Sequence, residues 1–247
     1  MRIQFLRTEP PLHLTRCKVH CANDCKRYSV RHKGSEGTLG GPCHSRMLPK
    51  AFRLEGPIYS LMTEWNSETA EWYAANYGDY PTNRLAVEQL DIPDQSTIVD
   101  VGCGTGSALR YTAAKMKDGN LIGIEPVPRM IEIAKEITKE KMIDLLIDFK
   151  VGSAENLPLD DSIAELVFAF DSIDHWQDIH KGLNEILRIL KPGGRFIVVK
   201  DLSLPGANKV LISLEEKLDA AGFLLESKEL IKKDEVRFAL WICIWKS

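Results

Sequence analysis

Val99-Asp100-Val101-Gly102-Cys103-Gly104-Thr105-Gly106 is the stretch that decides the fold. Thr97–Val101 is apolar and β-branched, the composition of a strand. Glycines at alternate positions follow it, and about Ser107–Lys117 then carries a helical pattern. A strand that ends in glycines and opens a helix presents backbone N–H groups to a ligand. Gly102, Gly104 and Gly106 clear side chains from that turn and permit positive φ.

Outward from the turn a β/α alternation continues. Asn120–Ile124 reads as the second strand, Pro128–Lys139 as a helix and Leu146–Val151 as the third strand. Ala164–Phe170 is nearly continuously apolar, as a strand buried on both faces should be. Ile179–Leu190 reads as a helix stopped by Lys191-Pro192-Gly193-Gly194, with Arg195–Lys200 as the fifth strand. Leu211–Ala221 is a helix closed by Gly222. Phe223–Ile231 and Val236–Trp245 are joined by Lys232-Lys233-Asp234-Glu235, a loop so short that the two strands must pair antiparallel. On the N-terminal side, Ser67–Tyr77 reads as a helix with Ser67 as N-cap and Gly78 as its end. A second helix starts at Pro81 or Thr82 and runs to Leu90. The sum is an α/β chain with a seven-stranded, mostly parallel sheet, an antiparallel last strand and helices on both faces.

Residues 1–50 hold ten Lys/Arg against three Asp/Glu, which leaves 22 basic and 32 acidic residues in 51–247. So acidic a body argues against nucleic acid as a partner, because phosphate neutralisation needs clustered Lys/Arg. Repeated Pro and Gly before Pro57 predict a poorly structured basic, cysteine-rich extension over 1–60 and one domain over 61–247. Cys17, Cys21 and Cys25, with Cys43 and nearby histidines, have a spacing tolerable for zinc. No hydrophobic periodicity surrounds them, so no metal site is expected. The longest apolar run, Phe238–Trp245, is far short of a membrane span, and no secretory segment is legible, so a cytoplasmic setting is expected. Nothing in the sequence indicates the oligomeric state.

The turn departs from the dinucleotide pattern G-x-G-x-x-G, because Ser107 occupies the third glycine position. Asp100 also sets a carboxylate two residues before the first glycine, where it would repel a pyrophosphate and attract an ammonium or sulfonium. Glu125, at the end of the second strand, can accept hydrogen bonds from ribose hydroxyls. These units suit a nucleoside with a positive charge and no phosphate.

Four blocks resemble the class I S-adenosylmethionine-dependent methyltransferases. Val99–Gly106 is similar to their first motif, and Gly123-Ile124-Glu125-Pro126 to the ribose-binding block. Gly152-Ser153-Ala154-Glu155-Asn156-Leu157-Pro158 is similar to the adenine segment, and Leu190–Arg195 to the turn before the fifth strand. The resemblance covers about residues 63–247 and is nearest to the small-molecule group of ubiquinone and menaquinone type. It implies a Rossmann-like sheet and S-adenosylmethionine as cofactor. The residues it implies for cofactor binding are Asp100, Gly102, Cys103, Gly104, Gly106, Glu125, Pro126, Ala154, Glu155 and Phe170. It further implies that the Trp65–Tyr80 region lids the cofactor, with Tyr77 or Tyr73 near the methionine end.

Methyl transfer from a sulfonium needs positioning above all, and a base only if the acceptor must lose a proton. The loop after the fourth strand, Phe170-Asp171-Ser172-Ile173-Asp174-His175-Trp176, is where acceptor chemistry belongs. His175 is the candidate base, and Asp171 a partner of donor or acceptor. Asp174 also reads as a helix N-terminal charge, and Trp176 as a core aromatic. Expected is methyl transfer to a small-molecule acceptor that the sequence does not identify. Two other readings are a non-catalytic cofactor-binding scaffold or sensor, and an RNA methyltransferase anchored by the basic head.

Overall fold

Alternation along β1 (Ser96–Val101) sends Val99 and Val101 to one face and Ile98 and Asp100 to the other. This computed structural model describes residues 65–141, 146–204 and 207–245. The expected 1–60 extension, with Cys17, Cys21, Cys25 and Cys43, therefore lies outside the described residues.

β1 is central. It pairs in parallel with β2 (Gly119–Glu125) and β4 (Ala164–Phe170). β2 pairs in parallel with β3 (Ile147–Val151), and β4 with β5 (Leu190–Asp201). β7 (Val236–Trp245) lies antiparallel between β5 and β6 (Phe223–Lys233), giving the order β3-β2-β1-β4-β5-β7-β6. The expected seven-stranded, mostly parallel sheet is thus present, with one reversed strand.

The helices are α1 (Ser67–Tyr77), α2 (Pro81–Gln89), α3 (Ser107–Ala113), α4 (Pro128–Glu140), α5 (Ile179–Ile189) and α6 (Ala207–Ala221). On one face of the sheet Leu183, Ile186 and Ile189 of α5, with Leu214 and Leu218 of α6, cover Val99, Val167, Phe196, Val198 and Trp241. On the other, Leu85 of α2, Leu109 of α3 and Ile131 of α4 cover Ile98, Phe149, Phe168, Ile197 and Leu240. Cover on both faces explains why β4 and β5 are apolar at consecutive positions. Each such side chain contributes on the order of 2 kcal/mol by leaving water.

Four local expectations are corrected. Asn66, rather than Ser67, caps α1, accepting from the Thr69 amide at 3.0 Å. α3 ends at Ala113, because Lys115 turns back to donate to the carbonyls of Val87 (3.0 Å) and Leu90 (2.5 Å). The Lys191–Gly194 turn is absorbed into β5. Leu190 pairs with Ala164, and the register jumps before Arg195 pairs with Leu166. α6 starts at Ala207, four residues before the expected Leu211, and its first turn buries Ala207 and Val210.

Leu183 has no exposed surface, so Leu183→Ala should cost about 2–5 kcal/mol in chemical unfolding. Ile212 is 79% exposed, and Ile212→Ala should stay within about 0.5 kcal/mol of wild type. Equal losses at the two positions would contradict this placement of the core.

Candidate active site

Strand order reverses at β1, whose neighbours β2 and β4 lead off in opposite directions. A crevice outside the carboxyl ends of the strands follows from that topology. A cavity of about 580 Å³ lies there. It is walled by the glycine turn, the ends of β2, β4 and β5, the Ser153–Glu155 loop and aromatic side chains of the N-terminal helices.

The turn is built tightly. Gly102 has φ 75°, and a Cβ on it would stand 2.5 Å from Ser172 Cβ. Ser172 Oγ in turn donates to the Val101 carbonyl at 2.6 Å, so the β1 turn and the loop after β4 are one packed unit. Gly106, expected among the cofactor residues, does not line the cavity. It caps α3 at φ 77°, and a Cβ there would meet the Phe149 ring at 2.6 Å. Its smallness serves helix–strand packing.

The turn's amides are also less available than a bare glycine turn suggests. Gly102 and Cys103 donate to the Ile124 carbonyl at 2.8 and 3.1 Å, and Gly106 to Cys103 at 2.8 Å. The Gly104 amide donates to Glu125 Oε2 at 3.1 Å.

Asp100 is 2% exposed, and its Oδ1 has no hydrogen-bond partner. Burial, then the nearby Glu125 carboxylate, pushes its pKa up to about 8. Burial likewise raises Glu125 to about 7, while the Val127 and Gly104 amides act against the rise. Two buried carboxyls side by side without a cation are costly. A ligand that brings positive charge and hydroxyl donors fits them. Ala154 is buried and lines the cavity with Glu155, which also accepts from the Asp178 amide at 3.1 Å. Pro126 and Cys103 complete this end.

Trp65, Tyr73, Tyr77 and Tyr80 form a run of rings, each 5.5 Å from the next. Asp79, between α1 and α2, accepts from Ser107 Oγ at 3.0 Å and from Tyr111 OH at 2.9 Å, and the Thr105 hydroxyl donates to the Gly78 carbonyl. These bonds hold the aromatic run over the glycine turn. The Tyr77 hydroxyl and Trp176 Nε1 are buried without partners, and both residues line the cavity. With Asp100 Oδ1 they are the three such side-chain atoms among the described residues.

At the far end, Phe170, Asp171, His175 and Trp176 all reach the cavity. His175 keeps exposed surface and stands edge-on to Trp65 at 5.7 Å. Surrounding protein lowers its imidazole below the ordinary value; Asp174 opposes this and Lys200 adds to it. His175 does not cap the following helix, because Asp178 does so through the amides of His180 and Lys181. Asp174 lies in the first turn of the short 3-10 helix Ile173–His175, not at the start of α5. It pairs with Lys200 Nζ at 2.9 Å.

Lys200 is the residue that sequence reasoning missed. It is 1% exposed, lines the cavity, and also lies 3.5 Å from Asp171 Oδ1. Burial raises Asp171 to about 6, with Lys200 and the Asp201 amide opposing. A lysine closing an apolar strand, at the carboxyl end where ligands bind, was the available signal. Among the described residues no group of His, Cys, Asp or Glu is placed to hold a metal ion.

Comparison with known proteins agrees with this architecture. Residues 99–198 match a family model described as a methyltransferase domain. The chain is 35% identical over 119 residues to a demethylmenaquinone methyltransferase of Symbiobacterium thermophilum, covering 48% of this chain and 47% of that protein. It is 34% identical over 102 residues to the chloroplastic tocopherol O-methyltransferase of Arabidopsis thaliana, covering 41% and 29%. The matched part thus spans less than half the length of either relative. A solved structure of a SAM-dependent methyltransferase from Aquifex aeolicus superposes with a TM-score of 0.60 at 16% identity, over 73% of this chain and 99% of that one.

The raised carboxyls set a pH dependence. A carboxyl whose folded pKa lies above its unfolded value keeps its proton better in the folded state. Asp100 therefore withdraws stability as pH rises from about 4 to about 8, and Glu125 does so up to about 7. The ligand-free Tm should fall over that range. Asp100→Asn should match wild type near pH 4 and exceed it by about 4 °C or more at pH 9. Parallel Tm–pH curves for the two proteins would refute the burial argument.

Proposed function

We propose that this chain, which carries a class I S-adenosylmethionine-dependent methyltransferase domain, transfers the cofactor's methyl group to a small-molecule acceptor in the cytoplasm. The observation that carries this reading is the unpartnered Asp100 Oδ1, buried beside Glu125 on the wall of the cavity. Of the ligands a β/α turn of this kind accepts, a nucleoside with a positive charge and no phosphate answers that pair best.

Asp100 would hold the positively charged methionine part, and Glu125, oriented by the Gly104 and Val127 amides, the ribose hydroxyls. Ala154 and Glu155 would border the adenine. Tyr73 and Tyr77 would present ring faces to the sulfonium, a modest cation–π contribution. The bound cofactor supplies an already activated methyl group, so the chain's task is to orient the two reactants and exclude water. Asp171 and His175 face the acceptor end, and His175, uncharged near neutral pH, can take a proton there. No helix among the described residues is long and apolar enough to cross a membrane.

Isothermal titration of the full chain with S-adenosylmethionine tests the reading. Asp100→Ala should weaken binding at least about 100-fold, as expected for losing a buried charge partner. His175→Ala should leave binding within about twofold and lower methyl transfer by 10²-fold or more if it removes a proton in the reaction. Wild-type affinity in Asp100→Ala would sink the assignment. Tight binding with no transfer to any acceptor would leave a cofactor-binding scaffold as the better description.

A further inference from the structure

We propose that the acceptor is an amine, hydrogen-bonded by Asp171 and favoured by the surplus negative charge of the cavity. This rests on the methyl-transfer reading above. Asp100, Glu125 and Glu155 belong to the cofactor end; beyond them three carboxylates, Asp171, Asp174 and Asp201, stand around one lysine, Lys200. Lys200 is buried and already engaged by two carboxylates, Asp174 at 2.9 Å and Asp171 at 3.5 Å, so its charge is committed. Tyr77, 5% exposed with its hydroxyl unpartnered, lines the same cavity and marks it as built for a ligand.

That charge balance discriminates among acceptors. A carboxylate or phosphate would enter against like charge. A phenol, with an ordinary pKa of about 10, must ionise to attack well, and a negative surrounding opposes the phenolate. An amine enters as its ammonium, which this surrounding attracts, and gives one proton to His175 or water before its lone pair attacks. Its nitrogen gains positive charge as the methyl group arrives, which this surrounding stabilises.

Asp171 is shaped for the nitrogen. It holds φ 54°, an uncommon conformation outside glycine that here sits at a ligand cavity. Its amide donates to the Val199 carbonyl at 2.9 Å, and its Oδ1 accepts from the Asp201 amide at 2.8 Å and faces Lys200. Both the bond from the Asp201 amide and the contact with Lys200 run through Oδ1, so the acceptor's N–H is assigned to Oδ2. As the N–C bond forms, the C–S bond breaks and its electron pair stays on sulfur. The charge passes from sulfur to nitrogen, and the product leaves as an ammonium or yields its proton to His175 or water.

The test uses the full chain loaded with S-adenosylhomocysteine and three probes of similar size: benzylamine, p-cresol and benzoate. Benzylamine should bind at least tenfold more tightly than either other probe by calorimetry. It should also acquire labelled methyl from S-adenosylmethionine faster. Asp171→Asn, chosen because asparagine tolerates positive φ, should weaken benzylamine binding about tenfold and leave cofactor affinity within twofold. Benzoate or p-cresol binding as well as benzylamine, or being methylated faster, overturns the proposal. So does an unchanged benzylamine affinity in Asp171→Asn. Failure of S-adenosylhomocysteine itself to bind would instead remove the methyl-transfer reading beneath it.

Discussion

Two carboxyls buried side by side, Asp100 and Glu125, are the constraint around which the site is organised. Neither has a cation beside it among the described residues, and each carries a raised pKa because of burial. Such an arrangement weakens the ligand-free fold and persists only where the scaffold enforces it. Enforcement comes from β1 and β2, whose residues Asp100 and Gly123 stand in register. It comes also from the Gly104 amide, which fixes Glu125. A positively charged group placed against the pair would relieve that cost.

A second charged group answers the first across the cavity. Lys200 with Asp171 and Asp174 is buried but paired, and its geometry ties the end of β5 to the loop after β4. The two centres obey opposite rules. One is uncompensated among the described residues; the other is satisfied internally and so holds a loop still. Asp201 extends the second network, accepting from the Thr82 hydroxyl and from the Ser203 amide at 2.7 Å. α2, β5 and the loop after β4 are thereby held in one frame.

Much of this was legible in the sequence because it depends on local pattern. The β/α alternation, the glycine turn, Asp100 and Glu125 all follow from residues close together in the chain. The fold came through with boundary errors where tertiary contacts overrode pattern, as at Lys115, which shortens α3. The Lys191–Gly194 turn likewise gave way to strand pairing. Lys200 escaped because its meaning lies in partners 26 and 29 positions away, Asp174 and Asp171, and periodicity says nothing of such a bond. Gly106 poses a related problem: a glycine that admits a ligand and one that admits Phe149 look identical in one dimension.

The position of β7 carries a consequence for how the chain comes together during synthesis. β7 follows the other six strands of the sheet along the chain, yet it occupies an interior place between β5 and β6, with Phe238, Ala239 and Trp241 wholly buried. Until it emerges from the ribosome, β5 has an open edge and β6 has no neighbour with which to pair. The half of the sheet formed by β3, β2, β1 and β4 can assemble vectorially, whereas the other half waits for insertion of a single apolar strand. The nascent protein thus passes through a stage with a long unpaired strand edge, the kind of surface that chaperones exist to shield.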